Sequence, residues 1–282
     1  MQMIIDCHTH FYDPSRPEGV PWPSADTKDL YFTCLPEHYK ALEVPEQVSG
    51  TVVVEASAWL EDNQWVLDLA AEDPFIVGLV GHIDPGTEGF VQQVDRFASN
   101  PIFRGIRVGG QFVENIEADN FLSDMEHLAK RDLALDVMLG FQLLPGLSEL
   151  ARRLPELRIV INHVASIPID GEAPDPQAVE NIQEAAAQPQ VYCKVSGLVE
   201  QSQLKPPPEG VEFYTPLLDM LWDAFGEDRL IYGSNWPVSA MAAPLDQVQR
   251  IVTKYVEGRG AEAKEKYFWR NSLLAYKWIE RS

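Results

Sequence analysis

The sequence predicts an α/β fold, a single (β/α)8 barrel of one domain over residues 1–282. Two observations predict it: eight apolar, β-rich runs recur along the chain, and helical patterns fill the gaps between them. The runs are MIIDCHTH (3–10), GTVVVEAS (50–57), FIVGLVGHID (75–84), FRGIRVGG (103–110), LALDVML (133–139), RIVINHVAS (158–166), VYCKVSG (191–197) and RLIYGSNW (229–236). Several are nearly continuous in apolar residues, as strands covered on both faces must be. Between them, segments 63–73, 87–100, 121–132, 146–156, 175–188 and 214–228 place apolar residues three and four apart, the spacing of a helix with one buried face. Strand and helix alternate throughout, so the sheet is parallel, and eight such units favour closure over an open sheet.

Two segments break the rhythm. Residues 11–36 carry Pro14, Pro17, Pro21, Pro23 and Pro36 with Trp22 and Tyr31, and residues 198–213 read LVEQSQLKPPPEGVEF. Both leave from the C-terminal ends of strands, where barrels build their active sites, and long loops there are more often functional than disordered. The tail, 267–278, reads as a closing amphipathic helix packed on the barrel.

Composition narrows the function. At 45% hydrophobic the chain can fill one large core, and its net charge of −21 repels nucleic acid and anionic membranes. No run approaches the length of a membrane span. The first ten residues lack a secretion signal. The three cysteines show no metal-type spacing and read as free thiols in a reducing cytoplasm. The expected partner is a small molecule. The sequence is nearly silent on assembly, and a homo-oligomer is compatible with it.

The chemistry concentrates at strand ends. Alternation along IIDCHTH sends Asp6, His8 and His10 to one face and Cys7 and Thr9 to the other. Three polar side chains on one face are costly in an ordinary core but natural at a barrel mouth. His-x-His can grip a divalent cation, since neutral imidazole suits zinc, iron and nickel; the competing use is a pair of hydrogen-bonded structural histidines. His163, at the end of the sixth run, occupies the place on its strand that His10 has on the first.

Taken in order, DCHTH, FRGIRVGG, INHVASIP, CKVSGL and IYGSNWPVS, with the loop GVPWP, resemble the amidohydrolase superfamily. More narrowly, they are similar to amidohydrolase family 2, the metal-dependent-hydrolase and lactonase branch, which includes sugar-acid and pyrone dicarboxylate lactonases. The resemblance spans nearly the whole chain. It implies that His8, His10 and His163 polarise the substrate or bind one divalent ion, zinc or manganese. Members carry Asp in GSDWP, where it binds a metal or moves protons; here the residue is Asn235. The residue before His163, often Asp, is Asn162.

An amide cannot serve as a carboxylate base, though it can orient water or a carbonyl. Three readings follow: a natural variant in which another acid takes the proton, an engineered exchange that traps a ligand, or a barrel that only binds. Glu55 is the preferred substitute, because VVVEAS sets an acid at the end of an apolar run. Asp84 and Asp6 are further candidates, and pairing with an arginine is the competing use of Glu55. Arg107 is expected to clamp a substrate carboxylate or hydroxyl, and His82 to contact substrate. Trp22 and Trp236 would wall a sugar or small aromatic ring, with core packing the competing use for Trp236. Lys194 and Ser196 turn one face inward. The expected activity is hydrolysis of a small carbonyl ester, a lactone of a sugar acid or of a ring-cleavage product. The alternatives are non-oxidative decarboxylation and metabolite binding without turnover.

Overall fold

Eight parallel strands pair in sequence order in the computed structural model, which describes residues 2–281. They are β1 (Ile5–Thr9), β2 (Gly50–Val54), β3 (Ile76–Gly81), β4 (Phe103–Gly109), β5 (Ala134–Met138), β6 (Ile159–Ile161), β7 (Val191–Val195) and β8 (Leu230–Tyr232). A parallel bridge from Thr9 to Trp236, with Asn235 N–H donating to His8 O at 2.8 Å, closes the ring between first strand and last. The expected barrel is present.

Helices α1 (Pro36–Lys40), α2 (Asp62–Glu72), α3 (Phe90–Ala98), α4 (Gln111–Glu114), α5 (Phe121–Lys130), α6 (Leu144–Arg153), α7 (Pro176–Ala186), α8 (Leu198–Gln201), α9 (Thr215–Phe225), α10 (Leu245–Glu257), α11 (Ala261–Glu265) and α12 (Asn271–Tyr276) accompany the strands. Outward strand residues such as Val53, Leu79, Phe103, Leu135 and Ile161 pack against this helical layer. Inward ones, including Cys7, Val52, Val54, Val80, Val160 and Ile231, form a separate cluster inside the barrel. No helix of the described residues is long and apolar enough to cross a membrane.

The tail departs from expectation. Lys266–Arg270 form a π-helical turn, and only Asn271–Tyr276 continue as α-helix. Tyr276 and Trp278 then join the inner cluster. Ile279 N–H donates to Val77 O, and Arg104 donates to Lys277 O. The tail thus plugs the barrel floor and fixes the opposite, C-terminal rim as the open one. Helix α10 was not anticipated, although its apolar residues at 245, 248, 251, 252, 255 and 256 carry the helical period.

Strands β6 and β8 are shorter than their apolar runs because the backbone leaves the ladder into left-handed turns. His163, Val164, Ala165 and Ser166 all have φ between 49° and 56°, and Asn235 has φ 61°. Each costs L-residues energy, most of all β-branched Val164. Such outliers persist where surroundings over-determine them, commonly at functional sites.

Candidate active site

A bulge breaks β1 between Asp6 and Thr9. It overturns the expected alternation: Asp6 does not share a face with the histidines. The Asp6 carboxylate is wholly buried and accepts from Tyr39 Oη at 2.7 Å, Ser234 N–H at 2.9 Å and His8 N–H at 3.1 Å. Burial raises its pKa. It locks β1, α1 and β8 together and is not a free acid. Beyond the bulge His8 and His10 approach His163, with ring centroids 5.1 Å apart for His8 and His10 and 4.3 Å for His8 and His163. Gly233 lets them do so, since a Cβ there would lie 2.8 Å from His8 Cβ. Gly197, at φ 72°, leaves similar room beside His163.

Burial, with the charge of Arg107 near all three and that of Lys194 near His8 and His163, holds the imidazoles neutral. His8 and His163 are pushed well below the ordinary histidine range and His10 to about 3. The tautomers follow from the partners. His10 Nδ1 faces two carbonyls, Val54 O at 3.0 Å and Glu55 O at 3.2 Å, so it carries the proton and Nε2 is a lone pair. Ser196 Oγ accepts from the His163 backbone N–H at 3.3 Å and lies 3.0 Å from His163 Nδ1. Where the serine donates its hydroxyl proton there, His163 Nε2 is the protonated nitrogen. Both ring nitrogens of His8 are buried without a partner among the described residues.

His10, His163 and Asn235 line a cleft of about 310 Å³ at the open rim, with Trp22, Glu55, Arg107 and Met138. Trp22, from the proline-rich excursion, sits with its ring 5.8 Å from that of His10. Arg107 is gripped by Glu55, Nε to Oε1 at 2.8 Å and Nη2 to Oε1 at 2.7 Å, and also donates to Glu55 O. Glu55 therefore follows its competing use. It holds an arginine in the cleft wall.

His82 borders a recess that shares Glu55, Arg107 and Met138 with the cleft, and its Nε2 lies 3.1 Å from a mostly exposed Asp84. Trp236 is 5% exposed and meets Tyr39 edge-on within the outer core. Its backbone serves the barrel seam, and that turns the side chain outward.

The structure gives Lys194 its partner and adds two acids, Asp136 and Glu200, that the sequence reading passed over. Lys194 and Asp136, both wholly buried, form an ion pair at 2.7 Å beneath the histidines. Asp136 also accepts from Asn162 Nδ2 at 2.9 Å and Tyr276 Oη at 2.8 Å. An acid inside LALDVML is the same signal as the one in VVVEAS, so Asp136 was findable. Glu200, on α8, accepts from Asn235 Nδ2 at 2.7 Å, and burial pushes its carboxyl up to about 7. Nothing in LVEQ marked it beyond its place after β7.

A divalent ion is testable against these donors. Two imidazoles sharing a tetrahedral ion at about 2.0–2.1 Å per nitrogen have centroids about 5 Å apart. His8 and His10 meet that spacing, and both ring nitrogens of His8 are unpartnered among the described residues, so this pair fits an ion. His163 sits closer to His8 and presents a proton. Among the described residues no group of three or more His, Cys, Asp or Glu side chains is placed to hold one ion.

A family model described as amidohydrolase matches residues 5–278. The chain is similar to an L-fucono-1,5-lactonase of Burkholderia ambifaria, 34% identical over 86% of this chain and 83% of that one. Among solved structures it is similar to an amidohydrolase from Burkholderia multivorans, in crystal forms with bound HEPES and with bound zinc. Each gives a TM-score of 0.82 at 26% identity, covering 98% of this chain and all of that one. A 2,6-dihydroxybenzoate decarboxylase, 13% identical with a TM-score of 0.64 over 98% of this chain and 99% of that one, shares the fold alone. With its family model spanning nearly all of its length, the chain belongs to the amidohydrolase family.

Proposed function

We propose that the protein hydrolyses a 1,5-lactone of a sugar acid, opening the ring to the hydroxy acid. The observation that carries this reading is the opposed chemistry at one cleft. His10 Nε2 and Asn235 Oδ1 are acceptors 3.3 Å apart, and His163 Nε2 is a donor. A water that donates its hydrogens to the two acceptors keeps a lone pair for attack. The His163 proton faces the charge that develops on the carbonyl oxygen. His10 receives the water proton as the tetrahedral intermediate forms, and returns it to the ring oxygen as the ring opens. The Arg107 guanidinium, held planar by Glu55, suits the substrate hydroxyls, and Trp22 offers an apolar wall to the sugar ring.

A divalent ion held by His8 and His10 would occupy His10 Nε2 and would supply Lewis-acid polarisation of the carbonyl in place of that base. A lactone is a reactive ester, so oriented water and a hydrogen-bonded carbonyl suit it without a strong base. The similarity to the Burkholderia ambifaria lactonase supports the substrate class. Decarboxylation has support from a shared fold only.

The test is turnover of a panel of aldono-1,5-lactones, L-fucono-1,5-lactone among them, followed by acid release above the uncatalysed rate. His10→Asn is expected to lose about 100- to 10,000-fold in kcat, the range for a lost acid–base group. Unaltered turnover in that variant, or none in the native protein with or without zinc, refutes the reading.

A further inference from the structure

We propose that Glu200 is the positioning residue of this site: seated behind Asn235, it sets which end of the Asn235 amide faces His10 Nε2 and the cleft. The proposal rests on the hydrolytic reading above, since it concerns the acceptors that hold the attacking water.

The argument begins with a mismatch. His10 Nδ1 must donate, because it faces Val54 O and Glu55 O. Its Nε2 therefore accepts, yet it lies 3.3 Å from Asn235 Oδ1, which also accepts. Nothing passes between two lone pairs except a donor from outside, such as a water, or a cation. The far end of the amide explains why this orientation holds. Asn235 Nδ2 donates to Glu200 Oε1 at 2.7 Å, and an ionised carboxylate can only accept. Glu200 Oε2 is buried with no partner among the described residues.

A proton on Glu200 Oε1, the oxygen facing the amide, reverses every polarity in the row. The carboxylic acid then donates, the amide turns so that Oδ1 accepts from it, and Nδ2 donates to His10 Nε2. Each atom is satisfied, and the imidazole is capped. Ionised Glu200 opens two acceptors to water and, by its charge, strengthens His10 as a base; neutral Glu200 closes them. The chain thus replaces the family's single eighth-strand acid with two residues, an amide in the cleft and a carboxyl behind it.

The surroundings of Glu200 are few. Lys205 lies on its own segment, with Nζ 3.2 Å from Glu200 O, and favours the ionised form. Tyr214 approaches from the segment before α9 and stays protonated, raised by burial and by Glu200 to about 12. Asn235 comes from the turn after β8. The nearest titratable group across the amide, His10, is neutral above about 3. Between pH 5 and 9 Glu200 is the member of this row that changes charge, with its midpoint at about 7.

The test reads the amide directly. In 15N-labelled full-length protein the Asn235 side-chain amide is assigned by its loss in Asn235→Asp and followed from pH 5 to 9. The proposal expects its resonances to move with a midpoint near 7, and kcat for the lactone to rise through the same midpoint. Both transitions disappear in Glu200→Gln, which can donate or accept but cannot titrate. Should that variant fail to fold, Glu200→Asp is expected to displace the midpoint of both signals. A resonance that does not titrate in the native protein overturns the proposal, as does a midpoint that persists in Glu200→Gln or is unmoved in Glu200→Asp. An intact amide midpoint in a protein that turns over no lactone separates the two readings, because it upholds the positioning role and removes the hydrolytic one.

Discussion

Replacing Lys194 with Met probes the centre of the barrel. Lys194 and Asp136 are both wholly inaccessible, with Nζ 2.7 Å from Oδ2. Asp136 also takes hydrogens from Asn162 and Tyr276, so Lys194→Met leaves a carboxylate with two neutral donors and no counter-charge. Removing one partner of such a pair costs about 3–5 kcal/mol, because the survivor stays charged and desolvated. Asp136→Asn, which strands the ammonium instead, is expected to cost a similar amount. The double variant strands no charge, and Asn still accepts from Tyr276, so its cost falls to about 1–2 kcal/mol. The coupling between the sites is thus larger than either site's cost in the double background. Urea unfolding followed by far-UV circular dichroism measures all three. Single variants that lose less than about 1 kcal/mol, or a double variant equal to the sum of the singles, would show that the pair does not hold the core as argued.

Other expectations concern the rim. Glu200→Gln should gain stability above neutrality. The native carboxyl, raised from 4.5 to about 7, favours the folded state fully below pH 4.5, and that favour is lost as pH rises through 7. The loss approaches roughly 3 kcal/mol at pH 8, and melting curves at pH 4.5 and 8 should show the variant's advantage at the higher value alone. Asn235→Asp sets a carboxylate beside His10 Nε2. Bound zinc by elemental analysis, or lactone turnover, should rise, and a protein unchanged in both would not use the family chemistry. Arg107→Met should raise KM about 10-fold with a smaller fall in kcat, as loss of one charged contact predicts. The reverse split would place Arg107 at the reacting atoms.

The barrel was legible because apolar runs and helical spacing record burial on two different periods. The histidines were legible because polar residues inside an apolar strand demand a reason. What escaped depended on single extra residues and on distant partners. The bulge in β1 separates Asp6 from His8 and His10, and strict alternation has no way to register an inserted residue. The fates of Glu55 and Trp236 turned on contacts made 52 residues away with Arg107 and across the seam with Thr9. Glu200 gains its meaning from Asn235, 35 residues onward, and from burial that a polar loop does not advertise. Helix α10 was a different kind of miss, since its period is plain in the sequence.

The left-handed turn at His163–Ser166 has a consequence for how the protein fails on heating. A backbone coiled against its natural hand, at about 1–2 kcal/mol per residue, is a wound spring. The catch is the close packing of Val164 and Ala165, both without solvent contact. Loosening of that packing releases the spring and carries the His163 imidazole off its mark while the eight strands remain paired. Warming should therefore extinguish turnover several degrees before the sheet signal fades, and cooling should restore the sheet signal first and turnover after it.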